Sequence, residues 1–204
     1  MKGHRWVSLV YLSFLLLGGI LMLWVDKKTL HLYFNHFHTP FFDIFFRYVT
    51  KLAEPLVIGL LIVVSGYVMK WRAAIFILLA NALSTVVTYV LKYYIFEDID
   101  RPKTVFKGIA ELYFIPGVDV HIYNSFPSGH TAAAFATYVS LMMITDRCYL
   151  KWLWFFIAIL VALSRIYLSQ HFFIDTYFGS LLGTLCALFL YRVFYSNSVK
   201  GDFA

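Results

Sequence analysis

Six apolar stretches divide this 204-residue chain, and each has the length or the apolarity to cross a lipid bilayer. They run Trp6–Val25, Ala53–Met69, Ala73–Leu91, Thr131–Ile144, Trp152–Ser164 and Phe172–Tyr191. About 20 apolar residues span a hydrocarbon core, so the fourth and fifth stretches are short and are expected to borrow flanking residues. Within that core the backbone finds no partner except itself, which makes each stretch a helix. The expected fold is therefore all-α: a six-transmembrane-helix bundle, one integral-membrane domain over residues 1–204.

Composition agrees with this reading. The chain is 61% hydrophobic and 14% charged, against about 45–50% and about 25% in soluble domains. Its net charge of +6 is scattered over segment ends, with no basic run or face to bind nucleic acid. Cys148 and Cys186 lie far apart and suggest neither a disulfide nor a metal site. Lys2 and Arg5 give the first stretch the look of a signal peptide. Its apolar run is too long for that, and Leu23-Trp24-Val25 offers no small-residue cleavage site, so it reads as a membrane helix.

Short basic loops set orientation. Lys70 and Arg72 in the turn Lys70-Trp71-Arg72, Arg147 and Lys151 in the next short turn, Lys2 and Arg5 at the start, and Arg192 and Lys200 at the end fall on one side if six helices are counted. Both termini are then cytoplasmic in a multi-pass cell-membrane protein. The loops at 92–130 and 164–171 face outward together.

Between the first two spans, Leu30, Tyr33, Phe34 and Phe37 repeat at helical spacing, and Phe41, Phe42, Phe45, Phe46 and Val49 resume it after Pro40. Thr39 can cap and Pro40 can open a helix, which predicts two short helices. With His31, Asn35, His36, His38, Asp43 and Arg47 on the other face, this stretch is expected to lie in the membrane interface. The three histidines lack an acidic or cysteine partner that would complete a metal site. Gly179, Gly183 and Ala187, four residues apart in the last span, point to close helix packing within the bundle.

Ionisable residues between apolar stretches are costly and usually line a site. His171 and Asp175, four apart at the start of the sixth span, share a helix face, so the carboxylate can hold one imidazole nitrogen and present the other as base or nucleophile. Pro127-Ser128-Gly129-His130 directly precedes the fourth span. Free amides at a helix start suit an anion, although a turn before a helix accounts for Ser-Gly as simply. His130 adds a proton donor. Lys92, Arg101 and Arg165 supply positive charge, and each also reads as a residue ending a helix.

Taken together and in this order, Lys92…Arg101-Pro102, Pro127-Ser128-Gly129-His130 and Ser164-Arg165…His171…Asp175 resemble the type-2 phosphatidic acid phosphatase family. The second and third elements match in full. In the first, eight residues separate Lys92 from Arg101, where the family usually has six, and Tyr94 takes the position that the usual spacing predicts. The resemblance implies a catalytic set of His171 as nucleophile in a solvated site, Asp175 as its orienting carboxylate and His130 as general acid. It implies phosphate binding by Arg165, Arg101, Lys92, Ser128 and the Gly129 amide, with no metal and no cofactor. The implied substrate is a lipid phosphomonoester or pyrophosphate met among membrane lipids: phosphatidylglycerophosphate first, then phosphatidic acid or a polyprenyl diphosphate such as undecaprenyl diphosphate. Two alternatives stand beside this reading. One is a non-catalytic lipid-binding or lipid-moving protein of the same fold. The other is a vanadate-dependent haloperoxidase, a soluble group that the apolar spans disfavour.

Overall fold

A computed structural model of the chain describes residues 2–195, with side chains from residue 9 onward. The side chains of Lys2, Arg5 and Lys200, which entered the orientation argument, lie outside the described residues. All regular structure described is helical: α1 (Lys2–Trp24), α2 (Lys27–Asn35), α3 (Pro40–Val49), α4 (Pro55–Met69), α5 (Trp71–Val90), α6 (Pro102–Val105), α7 (Gly129–Ile144), α8 (Cys148–Tyr167) and α9 (Phe173–Tyr195). A 3-10 turn, Thr50–Ala53, links α3 to α4, and α5 runs on as a π-helical segment, Leu91–Ile95.

The centre of the bundle is α7. It is buried almost all round from Thr131 to Leu141 and packs on α5, α8 and α9. An apolar helix without a polar face belongs in the middle of a bundle. Its 16 residues reach only about 24 Å at the helical rise. By length and apolarity α5 with its extension, α8 and α9 qualify as membrane spans. Two bent pairs, α1 with α2 at 110° and α3 with α4 at 57°, raise the number to five. The fifth expected stretch does gain flanking residues, since α8 covers all of Cys148–Tyr167.

Gly179 and Gly183 bring α9 against α7. A Cβ at Gly179 would stand 2.7 Å from the Ser128 carbonyl oxygen, and one at Gly183 would collide with the Ala132 carbonyl. The small-residue stripe is thus an internal packing seam.

One boundary departs from expectation. The turn Lys70-Trp71-Arg72 shrinks to Lys70 alone, at φ 109°, because α4 ends at Met69 and α5 begins at Trp71. Lys70, Arg72, Asp146 and Tyr195 line one hollow at this end of the bundle. At the opposite end lie the π segment after α5, the starts of α7 and α9 and the end of α8.

Thr39 and Pro40 do open α3: the Thr39 hydroxyl accepts from the Phe42 amide at 3.3 Å. The two-helix segment also packs part of its polar face on the bundle. His31 is buried and Asn35, His38 and Asp43 are half-buried against the bundle, while His36 and Arg47 are exposed together with Tyr33, Phe37 and Phe41.

Candidate active site

The third motif folds as a tight turn between two helices. After α8 ends at Tyr167, the amides of Gln170 and His171 both donate to the Arg165 carbonyl, at 3.0 and 3.2 Å. This returns the chain to start α9, and it places His171 beside the arginine rather than a full turn beyond it. Ser169 takes φ +52° in this turn.

The His171 ring is 2% exposed. The expectation of a solvated site is therefore corrected: the folded chain buries this ring under its own cations. On one side, Nδ1 lies 3.4 Å from Asp175 Oδ2 without hydrogen-bond alignment. That oxygen already accepts from the Ser125 hydroxyl at 2.5 Å and from the Phe172 amide at 2.9 Å. On the other side, Nε2 is 3.4 Å from Arg101 Nη1. A guanidinium only donates, so Nε2 carries the lone pair and the proton of the neutral ring sits on Nδ1, facing the carboxylate. Burial, and after it the charge of Arg101, hold the ring well below the usual histidine pKa. Both effects favour the neutral imidazole.

Arg101 is fixed by carbonyls. Its Nε donates to Tyr123 O at 2.8 Å, Nη1 to Gln170 O at 3.1 Å and Nη2 to Asn124 O at 3.3 Å. Gln170 in turn donates from Nε2 to Asp119 O at 2.7 Å, so both ends of the site share one network. Arg165 donates from Nη1 to Thr50 Oγ1 at 2.7 Å, while its buried Nε has no protein acceptor and is available to an anion.

Ser128 caps α7. Its Oγ accepts from the Thr131 hydroxyl at 3.0 Å, and its amide donates to the Asp175 carbonyl at 3.0 Å, tying the second motif to the third. Gly129 is the first residue of α7, and the amides of a first helical turn have no intrahelical acceptor. Lys92 is buried on the π segment, within electrostatic reach of Arg101, Asp175 and Arg165. The departure from the usual lysine-to-arginine spacing coincides with this wider turn. His130 lies within electrostatic reach of both His171 and the three cations.

All eight residues singled out in the sequence thus gather at one end of the bundle. What the arrangement can do is clear chemically. A neutral imidazole whose lone pair faces a guanidinium, a second imidazole, and three cations around them can bind a tetrahedral anion and exchange a group on it. The model for the PAP2 superfamily matches residues 73–198, which include every one of these positions.

The chain belongs to the PAP2 superfamily.

Among solved structures of similar shape, LpxE of Aquifex aeolicus aligns over 80% of this chain and 93% of its own, at 27% identity and a TM-score of 0.71. The first transmembrane PAP2-type phosphatidylglycerolphosphate phosphatase from Bacillus subtilis aligns over 97% of both chains at 22% identity, with a TM-score of 0.65, and shows the same fold. Among curated proteins, the bacitracin transport permease protein BcrC of Bacillus licheniformis is 36% identical over 36% of this chain and 36% of its own length. Lipid phosphate phosphatase 1 of Arabidopsis thaliana is 38% identical over 37% of this chain and 27% of its own length. The matched stretch thus spans about a third of these two relatives. The PAP2 fold and the spans of this chain make it a multi-pass membrane protein.

Four site residues escaped the sequence reading. Ser125 and Thr50 hold Asp175 and Arg165, and Gln170 holds Arg101. His121 is the fourth, within reach of Arg101, Arg165 and Lys92, and its pKa is lowered by burial first and then by Arg101. Ser125 and Gln170 sit beside motif residues, but as loop polar residues they carry no signal of their own. The three histidines of the α2–α3 segment do not converge. His31 meets Ser169, His36 bonds the Leu32 carbonyl at 2.7 Å, and His38 bonds Asp43 at 2.8 Å.

Proposed function

We propose that this PAP2 protein is a lipid phosphate phosphatase that works through a phosphohistidine. The observation that carries the reading is the position of the His171 ring, with Asp175 Oδ2 beside Nδ1 and Arg101 Nη1 beside Nε2 at 3.4 Å each. Nε2 attacks phosphorus and an N–P bond forms as the P–O bond to the lipid breaks. His130 protonates the leaving alkoxide. Asp175 stabilises the positive charge gained by the ring. Water, deprotonated by His130, then attacks phosphorus; the N–P bond breaks and inorganic phosphate leaves. Arg101, Arg165, Lys92, Ser128 and the Gly129 amide hold the phosphoryl oxygens, and positioning and charge stabilisation provide most of the catalysis in such transfers.

A lipid substrate is favoured by an apolar groove of about 760 Å³ that starts beside the site. Phe126 and Pro127, next to Ser128, line its head, and Ile174, Phe178 and Leu182 continue it along α9. A hydrocarbon chain lying there leaves its phosphate at the helix starts. We place phosphatidylglycerophosphate first, on family resemblance, followed by phosphatidic acid and undecaprenyl diphosphate.

Counting the shorter α7 as a sixth span beside the five favours an arrangement with both termini in the cytoplasm and the site on the outer face. Lys70, Arg72 and the α7–α8 turn then gather at the inner end. No metal takes part.

The test is phosphate release by the purified protein in detergent from phosphatidylglycerophosphate, phosphatidic acid and undecaprenyl diphosphate, compared by kcat/KM. Release from at least one is expected. Release from none would leave a non-catalytic lipid-binding protein of this fold.

A further inference from the structure

The segment before the second span touches the catalytic turn along one helix face. Lys27, His31 and Asn35 stand four residues apart on α2, which stacks them on a single stripe. Each reaches the turn that carries His171. The Lys27 ammonium lies 5.1 Å from the Phe172 ring centroid. The His31 ring packs edge-on to Phe172 with centroids 5.3 Å apart, and its Nε2 is 3.2 Å from Ser169 Oγ. Asn35 Nδ2 donates to the same oxygen at 3.2 Å and to Tyr113 O at 3.0 Å.

We infer that α2 is a clamp on the catalytic turn, with His31 and Asn35 as positioning residues for His171. Ser169 adopts a left-handed backbone conformation at φ +52°, which a serine holds only where its surroundings over-determine it. The hydroxyl held by His31 and Asn35 is the side-chain anchor of that residue. Gln170 and His171 follow directly, and their amides close the turn onto Arg165. Releasing the hydroxyl frees Ser169 to relax toward the ordinary regions. That relaxation swings the His171 lone pair away from Arg101. The outer side of the same helix, with Tyr33 exposed, makes no contact of this kind and serves as an internal control.

The inference rests on the phosphatase reading for its kinetic arm and on geometry alone for its second arm. Purified His31→Ala/Asn35→Ala double variant, His31→Gln and Tyr33→Ala are compared with wild type in detergent. One arm measures kcat and KM on dihexanoyl phosphatidic acid. The other measures amide hydrogen exchange in peptides covering residues 165–175.

In the double variant kcat is expected to fall about 30-fold with KM little changed, the size of effect that a misplaced reacting group brings. Exchange in 165–175 is expected to rise about tenfold while peptides from α7 stay at wild-type rates. His31→Gln keeps a nitrogen near Ser169 and restores most of kcat, and Tyr33→Ala changes neither readout. Faster exchange across the whole bundle would mean general destabilisation, and the decision then passes to His31→Gln with its retained fold. A kcat loss with unchanged exchange in 165–175, or unchanged values in both arms, overturns the clamp. If wild type hydrolyses no lipid phosphate but the exchange effect appears, the phosphatase reading falls and the clamp stands.

Discussion

Arg101 Nη1 lies 3.4 Å from the Nε2 lone pair of His171, and both groups are buried. In the proposed phosphohistidine mechanism the guanidinium marks the side from which the phosphoryl group approaches. Lysine keeps the charge at this position but loses the fork that reaches Tyr123, Asn124 and Gln170 together. Arg101→Lys is expected to lower kcat/KM about 100-fold with the fold retained, the scale of losing one preorganised donor. Steady-state kinetics on a lipid phosphate, alongside thermal melting, checks both halves.

The buried ring has a pH signature. Because burial and Arg101 hold His171 well below the ordinary histidine value of 6.5, the free base persists as pH falls past that point. The acidic limb of kcat/KM assigned to this group is expected below pH 6.5, and a midpoint at or above that value would contradict the assignment. Stability follows the same sign. Between the folded pKa and 6.5 the unfolded chain binds the proton that the folded chain refuses, so stability rises with pH across that window. Wild type should lose Tm relative to His171→Gln as pH drops through it.

His130 as general acid predicts a dependence on leaving group. His130→Gln should slow release of a lipid alkoxide by about 10² to 10⁴-fold. It should affect an aryl phosphate much less, since a phenolate leaves without a proton. Equal losses on the two substrates would assign His130 to binding instead.

The glycine seam couples packing to chemistry. Gly179→Ala puts a methyl group 2.7 Å from the Ser128 carbonyl, and backbone on both sides must move. Such overpacking costs about 1–3 kcal/mol, and here it also displaces the residue whose amide meets Asp175. A lower Tm together with reduced kcat is expected. Gly59→Ala, with nothing within 4 Å of the added carbon, should leave both close to wild type.

How much of this was legible beforehand differs from residue to residue. Apolar runs reveal spans because the bilayer leaves no other backbone solution, and Thr39-Pro40 marks a helix start by local chemistry. The nearness of His171 to Asp175 was legible from their spacing, but His171 lies in the turn before α9 rather than on its face, and its Nδ1 makes no hydrogen bond to the carboxylate. The π segment could not: its only trace was the long interval from Lys92 to Arg101, which spacing alone cannot convert into geometry. The inward placement of His31 and Asn35 was hidden too, because periodicity finds two faces but not which one meets protein. Ser125 and Gln170 became visible only when the fold brought distant loops together.

Metal independence is a prediction of the proposed mechanism. In that mechanism Lys92, Arg101 and Arg165, all buried, supply the positive charge that balances the developing phosphoryl charge. Excess chelator should leave kcat within about twofold of its starting value, because protein cations take the electrostatic role a metal could fill. Loss restored by magnesium alone would require a different mechanism.

The central claim, that His171 takes the phosphoryl group, is tested most directly by rapid quench of purified enzyme with phosphate-labelled lipid substrate. The expected result is labelled protein with a phosphoramidate's lability in acid and stability in base, mapped to His171, and absent together with turnover from a folded His171→Gln variant. Full turnover in that variant, or label mapped to any other residue, would contradict it.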